Sequence, residues 1–297
     1  MLCGLFGYSR QSYYKRQDEE DFAKEAIIQI IVYKARAYRE DNPRLGGVKL
    51  FHMIRSNVGE STVFPGRDAF LEIFRQHELI LKLRRRKRIR TTDSSHGYRR
   101  YPNLIKGLEV YAPNHVWVSD ITYIETMQGV CYLSLVTDLY SRKILGWSVG
   151  PTLETTYCLQ ALEMALGTLG EELPVGLVHH SDRGCQYCSH IYVGRLISEG
   201  IAISMTQSGD PLENAVAERV NGILKTEWLN HRRIRDINDC VETMKGIIRF
   251  YNEERPHMSL GNQTPSQVHT QSGIQQRLWR SPWEATPTDK GETSALE

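Results

Sequence analysis

The 297-residue chain carries 37 Lys and Arg against 35 Asp and Glu, with 40% hydrophobic and 24% charged residues. That balance fits a folded globular protein with room for about two domains, and no run approaches the ~18 apolar residues of a membrane span. The start, Met1 to Gly7, is too short an apolar run to read as a secretory signal, so a cytoplasmic protein with its six cysteines reduced is expected. The net charge of +2 hides an asymmetry. Residues 1–110 hold 22 Lys and Arg against 13 Asp and Glu, and the remainder holds 15 against 22. A basic front joined to an acidic back suggests a nucleic-acid-binding part and a metal-dependent part.

In chain order, Leu2 to Lys15 reads as a short helix, a Gly7-Tyr8-Ser9 turn, and a second helix from Ser9, a suitable N-cap. Asp21 to Arg39 reads as a further helix, with Phe22, Ala26, Ile27, Ile30, Ile31 and Lys34 at helical spacing. Helices over Leu45–Ser56 and Gly66–Leu79 complete a unit that fits a helix-turn-helix or any small bundle. The run Lys82 to Arg90 is read as a phosphate-tracking linker, with Arg84, Arg85, Arg86, Lys87 and Arg88 on DNA.

From Asn114 the pattern changes. His115–Thr126, Val130–Thr137 and Lys143–Val149 are three strands with short turns, an antiparallel meander. A helix over Thr155–Leu169, a strand over Val175–His180, a helix over Ser189–Glu199 closed by Gly200, and a strand over Ile201–Met205 follow. A Gly/Pro loop leads to a helix from Glu213, and one more helix spans Cys240–Tyr251. Periodicity does not set the strand order.

Three acids stand out. Asp120 ends the apolar run of the first strand, Asp182 lies in the polar turn after Leu177-Val178, and Glu218 sits in a helical pattern with 35 residues between it and Asp182. At 100° per residue Asn214, Glu218, Asn221 and Lys225 share one helix face, and Val216, Val220, Ile223 and Leu224 lie on the other. Two carboxylates ~4 Å apart repel by about 4 kcal/mol at an effective dielectric of ~20. A converging set therefore takes up protons or recruits cations, and oxygen ligands suit Mg²⁺ or Mn²⁺ over zinc. Cys185 and Cys188, with His179, His180 and His190 nearby, have no second cysteine pair at finger spacing, so zinc is not expected. There is no phosphate-binding GKT/S loop, and Tyr123 reads as a sheet residue and not a nucleophile.

The motifs WVSDITYI, HHSDRGCQY, ENAVAERVNGILKTE and YNEERPHMSL occur in that order. Together they resemble the DDE transposases and retroviral integrases, above all the second-frame (OrfB-type) catalytic subunit of a bacterial insertion sequence, over about residues 2–270. Glu213 departs from the pattern, which often has Asp there.

The resemblance implies an α/β, ribonuclease H-like catalytic core with a mixed five-stranded sheet and helices. The core would span residues 111–270, after a helical, helix-turn-helix-like region at 1–90 and a linker at 91–110, with a polar tail at 271–297. It implies metal-dependent DNA strand cleavage and strand transfer, with Asp120, Asp182 and Glu218 holding two Mg²⁺ and Mn²⁺ as a substitute. Lys225, Asn214 and Arg219 would touch DNA. Expected partners are double-stranded DNA (element ends and target), further copies of the chain, and an upstream-frame product fused by frameshift, at the bacterial nucleoid. A repressor without catalysis and a ribonuclease H-type nuclease are the competing readings; the three acids argue against the first, and the basic front half against the second.

Overall fold

The computed structural model describes residues 10–58, 64–81, 97–170, 174–207 and 211–273. The expected helix before Gly7, the Lys82–Arg90 run and most of the polar tail lie outside those residues.

The front of the chain is helical: α1 (Arg10–Asp41), α2 (Gly47–Val58) and α3 (Arg67–Gln76). The sequence suggested a break in α1 before Asp21, but the helix is continuous over 32 residues. Nothing between Arg10 and Asp41 is Gly or Pro, so no residue there forces a stop. The buried side of α1 is Ile27, Ile31, Val32 and Ala35. Phe22 and Ile30, expected with them, face out.

The core follows as β1 (Val116–Thr126), β2 (Gly129–Asp138), β3 (Ile144–Gly150), α4 (Thr155–Leu166), β4 (Val178–Ser181), α5 (Cys185–Cys188), α6 (His190–Ser198), β5 (Ala202–Met205), α7 (Ala215–Glu227), α8 (Ile237–Glu253) and α9 (Pro265–Val268). Single 3₁₀ turns at Pro211–Asn214, Leu229–His231 and Met258–Leu260 join the later helices. The strands order β3-β2-β1-β4-β5. β1, β2 and β3 pair antiparallel, and β4 and β5 add on in parallel. This is the mixed sheet that a ribonuclease H-like core requires. β4 starts later than expected because Pro174 and the left-handed Gly176 (φ 79°) come first.

Helices cover both faces of the sheet. On one, Leu162 and Ala165 of α4 and Tyr192 and Leu196 of α6 pack with Trp117, Val136 and Ile203. α4 lies very close there: a Cβ at Gly146 of β3 would sit 1.9 Å from the Ala161 carbonyl oxygen. On the other face, Val220, Ile223 and Leu224 of α7 and Met244, Ile247 and Ile248 of α8 pack on Ile124, Leu133 and Leu135. The same continuous cluster takes in Ile31, Leu50, Phe70 and Phe74 of the front helices. Front and core thus share one hydrophobic interior.

Candidate active site

The site forms where β4 ends. β1 and β4 run parallel with Ser119 opposite Ser181 as their last pair. The residue after each of these is an acid, Asp120 continuing β1 and Asp182 just past the end of β4, so the two stand side by side. Asp182 turns back on itself, its Oδ1 accepting from the Gly184 amide at 2.9 Å. Asp120 is paired through its backbone to Leu135 of β2 on the other side.

Helix α7 is laid along β1 by one row of side chains. At its start Asn214 donates to the Ser119 carbonyl at 3.1 Å. Two turns on, Asn221 donates to Asp120 Oδ2 at 2.7 Å. One turn further, Lys225 Nζ stands 3.7 Å from the centroid of the Tyr123 ring. Glu218 occupies the same row between Asn214 and Asn221 and is exposed. Arg219 beside it is also exposed. The row is the face read from the sequence; its contacts on β1 were not legible there. Asn214 was expected on DNA, but it is buried and its amide is committed to the Ser119 carbonyl, so it fixes the start of the helix instead.

The electrostatics follow from this packing. Burial first, and the Asp182 carboxylate second, push Asp120 up to about 7, against the Asn221 hydrogen bond that favours its ionised form. Glu218 adds the smallest of these effects. Lys225 is lowered by burial, with Asp120 and Glu125 opposing. A desolvated cation over a ring face is a favourable pairing.

The neighbouring histidines have structural roles. His180 donates from Nε2 to the Glu213 carbonyl at 3.0 Å, and its Nδ1 lies 2.8 Å from Ser204 Oγ. Burial pushes it down to about 4, which keeps it neutral. His179 Nε2 lies 2.8 Å from Ser119 Oγ and 3.0 Å from Tyr192 OH, and burial pushes it down to about 3. Cys188 is buried against Met205, Sγ to Sδ 3.6 Å.

The donor set fits a hard divalent cation. Asp120 and Asp182 are a pair of oxygen donors that repel each other. The buried Oδ1 atoms of Asn214 and Asn221 beside them have no hydrogen-bond partner among the described residues. As the side chains lie, no three His, Cys, Asp or Glu groups among the described residues converge on one point. Glu218, exposed on its helix, is the member that stands off.

A second cluster at the far end of α7 was missed by the sequence reading. Glu227 accepts from Arg255 Nε at 2.8 Å and Nη2 at 2.6 Å, from Lys49 Nζ at 2.5 Å and from Asn42 Nδ2 at 3.0 Å. The Arg255 side chain is 2% exposed and that of Glu227 12%. Despite burial, these cations hold Glu227 at about 2. Lys49 is pulled to about 8 by burial and by Arg255. Two cations share one carboxylate, and the bidentate arginine holds it, so lysine is the member with the loosened proton. Glu227 thereby joins α7 to both α2 and the segment after α8. The RPH motif carried the signal, but its partner is 28 residues away in sequence.

Residues 110–211 match the integrase core domain family, and residues 199–265 match a second integrase core domain family. A Shigella sonnei protein, the uncharacterized 31 kDa protein of insertion element IS600, is 33% identical over 89% of this chain and 96% of its own length. The Shigella sonnei transposase of IS629 is 33% identical over 62% of this chain and 61% of that protein. The Escherichia coli transposase InsF of IS3 is 34% identical over 60% of this chain and 62% of that protein. The chain thus spans about three fifths of the length of these two named transposases. Among solved structures, the HTLV-2 integrase catalytic core domain in complex with magnesium is 20% identical, with a TM-score of 0.44, over 54% of this chain and 99% of that one. With an integrase core matched along most of the core region and a relative aligned end to end, the chain belongs to the DDE-type, integrase-core transposases of bacterial insertion sequences.

Proposed function

We propose that Asp120, Asp182 and Glu218 are the carboxylates of DNA strand cleavage and strand transfer in this transposase. The observation that carries the reading is the parallel register of β1 and β4, which sets Asp120 beside Asp182 under the helix that bears Glu218. Asp120 and Asp182 would hold divalent cation, and Glu218 would complete the set by turning in from solvent. Two Mg²⁺ are proposed, with Mn²⁺ as a substitute. Bound there, such ions would activate the attacking oxygen and neutralise charge at the phosphate.

The chain's own side chains set the geometry. Asn221 orients Asp120 and holds it in place by its amide. Lys225, backed by the Tyr123 ring, would present a point charge to a DNA phosphate two turns from Glu218. Arg219, exposed next to Glu218, would meet the same strand. The Arg84, Arg85, Arg86, Lys87 and Arg88 run would track the backbone further out.

We propose the same division as the sequence suggests: a DNA-binding front at 1–90, a linker at 91–110, a core at 111–270 and a tail at 271–297. An upstream-frame product fused by frameshift and a nucleoid location belong to this reading too.

The test is strand transfer with labelled element ends. Asp120→Asn, Asp182→Asn and Glu218→Gln should each reduce transfer by at least about a thousandfold while DNA binding persists. Because the three act as one site, doubling the changes should lose little more. Robust metal-dependent transfer by any single variant would remove that residue from the site.

A further inference from the structure

Helix α1 has two apolar faces. One, with Ile27, Ile31, Val32 and Ala35, is buried in the shared interior. The opposite one is uncovered: Phe22 is 78% exposed, Ile30 40% and Tyr33 75%, with Ala26 and Ala37 exposed between them. At 100° per residue these five fall within an arc of about 80° and run along about 22 Å of helix. Single exposed apolar residues are ordinary, but a continuous stripe marks a contact surface.

We propose that a second copy of this chain packs on the stripe as an antiparallel helix pair, about a two-fold axis passing between Gln29 and Ile30. Two features of α1 select that occupant. The first is shape. The axis brings Phe22 opposite Ala37 and Ala26 opposite Tyr33, and sets Ile30 beside its own copy. Large side chains meet small ones, as a self-complementary surface requires. A parallel pair would set Phe22 on Phe22 and Tyr33 on Tyr33, and leave the alanines facing each other.

The second feature is charge along one flank, which must outweigh the Glu19–Glu40 contact that the same register makes at each end of the stripe. Glu25 and Arg36 lie on the same flank of the stripe, about 20° apart around the helix. The antiparallel two-fold matches each flank with itself. Glu25 of one copy then stands within about 3 Å, along the axis, of Arg36 in the second copy, and symmetry makes this pair twice. Gln29 donates to the Glu25 carboxylate at 2.9 Å and keeps it on that flank. The proposal does not depend on the catalytic assignment, since none of these residues belongs to the acid site.

The test is sedimentation of the full chain from about 1 to 100 µM, with helix content followed by circular dichroism. A monomer–dimer equilibrium is expected. Glu25→Arg and Arg36→Glu should each weaken it at least about tenfold, because each creates two like-charge contacts. The double variant should return to within about threefold of the starting chain, a rescue that mere damage to the helix would not give. In a Cys3→Ser background, Ile30→Cys should oxidise to an intermolecular disulfide. Ala37→Cys should not, since its two copies lie about 22 Å apart. A monomer throughout this range would overturn the proposal. So would dimerisation indifferent to Glu25→Arg, failure of the double variant to restore it, or cross-linking through position 37 as readily as through 30.

Discussion

Asp120 ties the pH behaviour of the site to its metal chemistry. Its carboxyl is held up to about 7, above the ordinary 3.8. Below ~3.8 both folded and unfolded chains keep the proton, and there is no penalty. As pH rises through that value toward about 7, the unfolded chain ionises and the folded one resists, so stability is lost progressively. The upper limit of that loss is on the order of a few kcal/mol, reduced by solvent at the partly open side of the carboxyl. A cation relieves it. Cation affinity should therefore rise as pH increases through about 7, as titration calorimetry with Mn²⁺ would show. Asp120→Asn should raise the melting temperature of the cation-free protein at pH 8 and abolish stabilisation by cation. An unchanged melting temperature would mean that the Asp120–Asp182 repulsion is already relieved without metal. At this scale the acids were legible, because each sits in a motif of its own. The Lys225–Tyr123 contact was not: which way Tyr123 points depends on the pairing of β1 with its neighbours, which the sequence leaves open.

Among the elements, α7 is held at both ends. Asn214 and Asn221 pin its first half to β1, and Glu227 anchors its end to Arg255 and Lys49. Removing one member of a buried charge cluster leaves the others uncompensated, at a cost of about 3–5 kcal/mol. Glu227→Gln should lose about that much in urea unfolding at pH 7, and Lys49→Met clearly less, because the bidentate pair survives it. Glu227 is held at about 2 against an ordinary 4.5. Its contribution is present above ~4.5 and should fade as pH drops from there through about 2. The helices and strands themselves were legible because their apolar spacing is regular. The strand order was not, since parallel addition of β4 beside β1 depends on chain path and not on local pattern. The uninterrupted α1 was missed for a related reason: polar residues 15–20 look like a connection, yet nothing in them stops a helix.

For the whole molecule, the shared interior decides how parts can be studied. Ile31, Leu50 and Phe70 of the front lie in one cluster with Leu224 and Ile248 of the core, and Trp228 donates to the Asp41 carbonyl at 2.7 Å. The described front and core should therefore unfold in a single transition by calorimetry; two resolved transitions would contradict a common interior. A front fragment alone would expose that interior, so the basic run is better tested in the full chain. If it neutralises ~5 phosphates, log affinity for duplex DNA should fall with log salt at a slope near −4.5 from this source. Replacing Arg84, Arg85, Arg86, Lys87 and Arg88 by Gln should flatten the slope by that amount. An unchanged slope would leave the run a solvated connection.

Gly146 supplies a yardstick for all of these experiments. The Ala161 carbonyl occupies the place where any side chain at 146 would begin, so even a methyl group must pry α4 from β3. Gly146→Ala is thus a lesion of assembly: the added methyl group meets the α4 backbone at Ala161 and Ala165 and none of the acids or cations discussed above. In cells it should produce little soluble protein, lost to degradation, whereas Asp182→Asn should accumulate to normal levels and remain inert. Comparing the two separates an element that cannot move because its enzyme never forms from one whose enzyme forms and cannot act.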